Sequence, residues 1–349
     1  MLIPRWTILH VEDATQVCDY VKFWLGLTLT MEYRKIGNTG LRVSILGYGA
    51  SPLGNAYGKT EPAEVTRAIR HAFAQGINFF DVSPYYGATL AEERLGVGLE
   101  GIRDQVVLMT KCGRYGLDDF DFSEARIHRS IDESLTRLRT DHVDILLAHD
   151  IEFGDMNQII NETIPALRSI QQQGKAQYIG VSGLPLGVLK QAVETGMLDV
   201  VLSYCHYNLL IQDLDKHLTP VAKKWNVGLI NASPLHMGIL TKEGQPGWHP
   251  APDSIKQAGR DLSQYCEAKG VSLPQTAIRF ALDYAPVAST LVGMISVSEV
   301  DTNLKAISNA NDPELIQELL EIAAPIANQS WPSGRPENSD ALLLGIPQR

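Results

Sequence analysis

The chain is poor in the features that mark several large protein classes. Its four cysteines, Cys18, Cys112, Cys205 and Cys266, stand far apart and form no C-x-x-C pair. Neither a zinc ribbon nor a thioredoxin-like redox site is therefore encoded, and no metal is expected. Scattered thiols of this kind suit a reduced, cytoplasmic protein. Nowhere do 18 apolar residues follow one another, so no membrane-spanning helix is expected. The phosphate-binding pattern G-x-x-x-x-G-K-[ST], the zinc-protease pattern H-E-x-x-H and a glycine fingerprint of Rossmann type are missing. That removes P-loop ATPases, zincin proteases and the common dinucleotide fold. Basic residues are outnumbered, 30 Lys and Arg against 40 Asp and Glu, for a net charge of −10. Such a surface argues against nucleic acid and anionic membranes as partners.

What is present is an ordinary globular composition, with 44% hydrophobic and 20% charged residues over 349 positions. The length fits two domains or a single α/β barrel. The first thirty residues read differently from the rest. They hold Trp6, Trp24 and the run Phe23-Trp24-Leu25-Gly26-Leu27, but no period continues from them. A secretory signal needs a basic start and an unbroken apolar stretch; here Arg5 is the one basic residue at the start, and Glu12, Asp13 and Asp19 interrupt. Residues 1–30 are read as an extension, weakly ordered or a gene-model artefact, upstream of a second start at Met31, residues 31–335 as the folded domain, and 336–349 as a tail.

From Met31 the pattern is regular. Glu32–Ile36 and Leu41–Ser44 flank Asn38-Thr39-Gly40 as a hairpin. Eight short apolar runs follow, at Val43–Ala50, Asn78–Ser83, Val106–Cys112, Val143–His149, Ala176–Ser182, Val200–His206, Gly228–Ala232 and Ser289–Gly293. Between them lie helical patterns, at Pro62–Gln75, Ser123–Arg139, Glu162–Gln173, Ser254–Lys269, Leu273–Tyr284, Val297–Ile307 and Pro313–Ala327. Strands alternating with helices imply a parallel sheet. Eight units predict a closed (β/α)8 TIM barrel with the hairpin capping its bottom, an open doubly wound sheet being the other arrangement. In a barrel, chemistry gathers at the C-terminal strand ends. Three successive runs carry Asp81, Lys111 and His149 at or near their C-terminal ends, and Tyr86 follows Asp81 on the next loop. A lysine ammonium beside a tyrosine hydroxyl favours phenolate, and a carboxylate can pair with the lysine. A histidine can orient the reacting oxygen. These groups handle the proton of an alcohol or carbonyl, and a hydride must come from a cofactor.

The order Asp81, Tyr86, Lys111, His149 resembles the tetrad of the aldo-keto reductases, a (β/α)8 superfamily that binds NAD(P)(H) without a Rossmann fold. The resemblance spans about residues 31–335 and rests on Gly37-Asn38-Thr39-Gly40-Leu41, on Asn78–Gly87 and on Gln173-Gly174-Lys175 leading to Ile179–Ser182. It implies Tyr86 as general acid/base, Lys111 and Asp81 as its charge partners and His149 as the residue orienting the substrate oxygen. Within the superfamily the chain is similar to the plant-type L-galactose dehydrogenases, through Gly49–Gly54, Thr110–Tyr115, His149–Gly154, Leu202–Tyr207, Trp248-His249-Pro250 and Trp331–Gly334. That branch implies oxidation of L-galactose at C1 to the 1,4-lactone in ascorbate biosynthesis, with NAD.

The resemblance further implies a cofactor site. Ser182 and Gly183 match the nicotinamide carboxamide position, although relatives often have asparagine in place of Gly183. Tyr204 stands where a glutamine is usual, and Ala232 where many relatives stack a tyrosine. Ser233, Pro234 and Leu235 match the loop over the pyrophosphate. The segment from Gly293 through Ser296 and Glu299 to Asn303 runs from the last strand into a helix start, which favours anions. NADP-using relatives place a lysine and an arginine at the positions of Gly293 and Glu299. A carboxylate there repels a 2′-phosphate, so NAD is the expected cofactor; Asn303 would meet the adenine. Tyr115, His206 and Trp248 are the expected substrate-lining residues, with Asp150 and Glu152 as further polar groups at the mouth. A small sugar is the expected partner, bound by a monomer or homodimer. An NADPH-linked carbonyl reductase and a non-catalytic nucleotide-sensing barrel are the alternatives that the same residues leave open.

Overall fold

The computed structural model describes residues 31–346. The expected extension 1–30 lies outside the described residues, as do the last three positions of the tail. Strands β1 (Tyr33–Lys35) and β2 (Arg42–Ser44) pair antiparallel. Gly37 turns the hairpin at φ +46°, and a Cβ there would fall 2.4 Å from the Gly228 backbone nitrogen. Only glycine allows that approach. Gly228 begins a barrel strand, so the hairpin closes the N-terminal end of the barrel. Ile36 and Val43 fill that end from below.

Eight parallel strands form the closed barrel. They are β3 (Leu46–Gly49), β4 (Phe79–Asp81), β5 (Val107–Cys112), β6 (Val143–Ala148), β7 (Ala176–Gly183), β8 (Val200–Tyr204), β9 (Gly228–Ala232) and β10 (Ser289–Gly293), with β10 pairing β3 to close the ring. The expected run Val43–Ala50 divides at Ile45, its first part pairing in the hairpin and its second in the barrel. Side chains alternate inward and outward along each strand. Phe79, Val107, Met109, Ile145, Leu147, Val200, Leu202, Ile230 and Leu291 fill the interior, while the opposite faces meet the helices.

The helices that cover the barrel include α1 (Pro62–Ala74), α2 (Leu90–Leu99), α3 (Glu124–Leu138), α4 (Ile164–Gln172), α5 (Leu186–Glu194), α6 (Thr219–Trp225), α7 (Asp253–Ala268), α8 (Leu273–Leu282), α9 (Val297–Ser308) and α10 (Pro313–Ala323). Helices α2, α5 and α6 are absent from the sequence reading. In α2 the reason is composition, since Gly96 and Gly98 are poor helix formers. A Cβ on Gly96 would lie 2.5 Å from Arg137 O and one on Gly98 2.4 Å from Ile69 Cδ1, so close packing of α2 on its neighbours demands glycine. In the spacing Gly96-x-Gly98-x-x-Gly101 the first two glycines thus serve helix packing, and Gly101, at φ +81° with open space around it, turns the chain after the helix. Residues beyond 335, read as a tail, are fastened to the barrel. Asp340 accepts hydrogen bonds from the Leu186 and Gly187 amides at 3.0 and 2.7 Å, capping α5, whose own N-cap position is Pro185.

Candidate active site

The alternation along the strands decides which residues meet at the mouth. Phe79 points inward, so Asp81 does; Val107 and Met109 point inward, so Lys111 does; Ile145 and Leu147 point inward, so His149 follows them past the end of β6. Lys111 is 1% exposed, and its ammonium donates to Asp81 Oδ1 at 2.5 Å, Val82 O at 3.0 Å and Tyr86 Oη at 3.1 Å. Three donors thus meet three acceptors. The Tyr86 and His149 rings meet edge to face at 5.6 Å. The structure brings all four residues together.

Charge states follow from the surroundings. Burial, then Lys111 and Arg114, holds His149 well below the usual imidazole range, so it is neutral. Its Nδ1 lies 2.9 Å from Ser83 Oγ, which also accepts the Tyr85 amide. The Ser83 hydroxyl is free to donate to Nδ1, and in that arrangement the neutral imidazole carries its proton on Nε2. Ser83 was absent from the sequence-predicted site; its place two residues after Asp81 was the available signal. Burial, then Asp81 and Asp150, pushes the Tyr86 hydroxyl well above the ordinary tyrosine value, with Arg114 opposing. The direction is opposite to the one expected from Lys111 alone, because withdrawing the phenolate from water outweighs nearby positive charge. Burial also raises the Asp81 carboxyl, against the pull of Lys111.

Beside the four residues lies a second charged group. Arg114 pairs with Asp150, and its guanidinium lies 3.9 Å over Tyr85, 5.1 Å from Phe120 and 5.3 Å from Phe153. Asp150 adopts φ +53° and is buried, with Oδ2 3.7 Å from His149 Nε2. The expected substrate-lining residues each have partners of their own. Tyr115 accepts the Gly113 amide at 3.0 Å and carries Arg126 of α3 3.7 Å over its ring, so it is engaged with the outer layer. His206 is buried against Asp213 at 2.7 Å, an ion pair that raises its pKa against the effect of burial. Trp248 is 53% exposed and stacks on His249 and edge-on to Tyr57. Among the described residues no hydrogen bond or ring contact links these three directly to Tyr86 or His149, and Tyr57, which Trp248 meets, acts on the Tyr86 hydroxyl.

The expected cofactor residues form an arc around the rim. Ser182 is buried at the tip of β7, its Oγ 3.4 Å from Ala148 O. Gly183 faces outward, where a Cβ would meet Glu152 Oε2 at 2.6 Å. Tyr204 ends β8, its hydroxyl raised by burial and then by Asp150 and Glu152. Ser233, at φ +58°, Pro234 and Leu235 make the turn after β9. Gly293 ends β10 with Pro52 packed where a side chain would start, 2.7 Å from a built Cβ. Ser296 caps α9 by accepting the Glu299 amide at 3.2 Å, and Glu299 accepts the Ile295 amide at 2.8 Å. Glu64 of α1, which the sequence did not suggest, accepts the Val297 amide at 3.1 Å. The α9 start therefore already holds two carboxylates. Asn303 is buried one turn beyond Glu299. The inward Ser182, the turn at 233–235 and the helix start at 296 suit a nicotinamide dinucleotide as a group to hold.

Comparison with known proteins agrees with this geometry. The model of the Aldo/keto reductase family matches residues 45–324. The chain is 46% identical over 318 residues to L-galactose dehydrogenase of Arabidopsis thaliana, covering 88% of this chain and 99% of that one. It is 31% identical over 283 residues to D-threo-aldose 1-dehydrogenase of a Pseudomonas species, covering 73% and 86%. An aldo-keto reductase of Bacillus halodurans, solved in its holo form, superposes with a TM-score of 0.70 at 25% identity, covering 84% of this chain and 96% of that one. With a closed parallel barrel, an inward-facing Asp, Lys and His at successive strand ends, and a match over most of its length, the chain belongs to the aldo/keto reductase family.

Proposed function

We propose that the chain is a cytoplasmic, NAD-dependent aldose 1-dehydrogenase that oxidises L-galactose at C1 to L-galactono-1,4-lactone, a step of ascorbate formation. One observation carries the reading: Tyr86 Oη lies 3.1 Å from a buried ammonium and beside a neutral histidine. The similarity to L-galactose and D-threo-aldose dehydrogenases supports the substrate class. A bound nicotinamide dinucleotide supplies the acceptor for the hydride that leaves C1. The protein supplies the proton chemistry. Nε2–H of His149 donates to the C1 oxygen and fixes its position. Tyr86, in its phenolate form, takes the C1 hydroxyl proton, and Lys111 stabilises that form through its contact with Oη. Asp81 keeps Lys111 charged and aimed.

The choice of NAD rests on the α9 start. Glu299 and Glu64 take up the amides of Ile295 and Val297, and Pro52 fills the position where a residue-293 side chain would begin. A 2′-phosphate there meets the carboxylates of Glu299 and Glu64, of which Glu64 is paired with Arg67 and Glu299 has no basic partner among the described residues. The test is NADH formation at 340 nm with L-galactose and NAD, beside NADP and a Tyr86→Phe control. Turnover with NAD, weak turnover with NADP and loss in the control are expected. A folded protein that binds NAD but oxidises no aldose would refute the reading.

A further inference from the structure

Asp150 follows His149 directly, at the left-handed turn that ends β6. Its two carboxylate oxygens differ. Oδ2 is held by Arg114 and lies 3.7 Å from His149 Nε2. Oδ1 is buried and has no hydrogen-bond partner among the described residues. A carboxylate oxygen out of water without a donor is costly, and burial raises the Asp150 carboxyl against the pull of Arg114; the chain keeps it where its charge reaches the Tyr86 hydroxyl. Arg114, clasped by Tyr85, Phe120 and Phe153, has little freedom to move away. Glu152 also has an unpartnered buried oxygen, Oε2. That oxygen lies on the outer side of β7, beneath Gly183, and the other oxygen binds Ser333 and the Leu184 amide. Glu152 thus serves the packing of the chain's end, and Asp150 alone of the two adjoins the reacting position.

We infer that Asp150, clamped by Arg114, is the specificity residue for the sugar ring: Oδ1 accepts a hydrogen bond from a ring hydroxyl near C1 while His149 and Tyr86 hold the C1 oxygen. The inference rests on the aldose reading above and deepens it. A polyol satisfies the orphaned oxygen, whereas a carbonyl compound without hydroxyls leaves it unpaired. A site built around such a bond discriminates strongly against the partner lacking it. The charged groups facing Asp150 are Arg114, Lys111, His149 and Glu152, with the Tyr204 and Tyr86 hydroxyls adjoining.

The experiment is a cycle between protein and substrate. L-galactose and its 2-, 3- and 4-deoxy analogues are compared in the wild type, Asp150→Asn and Arg114→Lys, with NAD binding followed by protein fluorescence to show that each variant is folded. The wild type is expected to lose roughly tenfold to a hundredfold in kcat/KM with one of the deoxy sugars, the scale of a hydrogen bond to a charged group. Asp150→Asn loses a similar factor on L-galactose, and the same deoxy sugar then costs it less than about threefold more. An equal penalty for every deoxy sugar in wild type and variant overturns the inference, even if turnover falls. Should L-galactose not be oxidised, the aldose reading falls by itself. Calorimetric binding of the same sugars to the unloaded protein then decides the present point, and equal affinity in wild type and Asp150→Asn overturns it.

Discussion

The buried Asp81–Lys111 pair makes a quantitative claim about stability that is separable from catalysis. Asp81→Asn keeps the shape of the side chain and removes its charge. Lys111 is then left with Val82 O and Tyr86 Oη as acceptors and no counter-ion at 2.5 Å. Removing one partner of a buried pair costs about 3–5 kcal/mol. A ceiling follows from titration. The stranded lysine can escape by losing its proton, which at pH 7 costs about 1.36 kcal/mol for each of the roughly 3.4 pH units below its usual pKa, or about 4.6 kcal/mol. The expected loss is therefore about 3 to 4.5 kcal/mol. The pH dependence has a defined sign. In the variant, Lys111 has a depressed pKa when folded, so the unfolded chain binds more protons and stability rises with pH. Between pH 7 and 9 the deficit shrinks, by at most about 1.36 kcal/mol per pH unit. The second substitution in Asp81→Asn/Lys111→Met removes the stranded charge and recovers about 2 kcal/mol or more. Urea unfolding followed by tryptophan fluorescence at both pH values measures all three. A loss below about 1 kcal/mol that does not change with pH would refute the account of Lys111 as a buried charge.

Further consequences concern the site. Ser83→Ala removes the hydroxyl that fixes the His149 tautomer, and a single such bond predicts a fall in kcat of roughly threefold to tenfold with little change in NAD affinity; stopped-flow single turnovers would show this. The oxidation rate requires the Tyr86 phenolate, whose pKa is raised, so kcat/KM climbs with pH into the alkaline range, and Asp150→Asn, by removing a charge that raises it, shifts that rise to lower pH. Glu64→Gln combined with Glu299→Gln improves kcat/KM for NADP by roughly tenfold at low salt, less at high salt, as measured against NAD in parallel.

Much of this molecule is written in local pattern. A period of two along Val107-x-Met109-x-Lys111 and Ile145-x-Leu147-x-His149 places the functional side chains inside the barrel, because strand geometry alone turns every second residue to one face. The hairpin, all eight barrel strands and the Asp81, Tyr86, Lys111 and His149 quartet follow from such periods and from the residues at their ends. Helix α2 did not, since the glycines that weaken its local signal are required by contact with Arg137 O and Ile69. Nor did the site's second circle. Arg114 meets Asp150 across 36 positions and Glu64 reaches Val297 across 233, and Tyr115 and His206 are engaged by Arg126 and Asp213. Pairings of that range carry no local period. Burial then set the direction of the Tyr86 pKa against its neighbouring lysine. Order along the chain determined which strand ends face the mouth; packing between distant elements decided which polar atoms were left there without a partner, because desolvation depends on everything that surrounds a group and not on its neighbours in sequence.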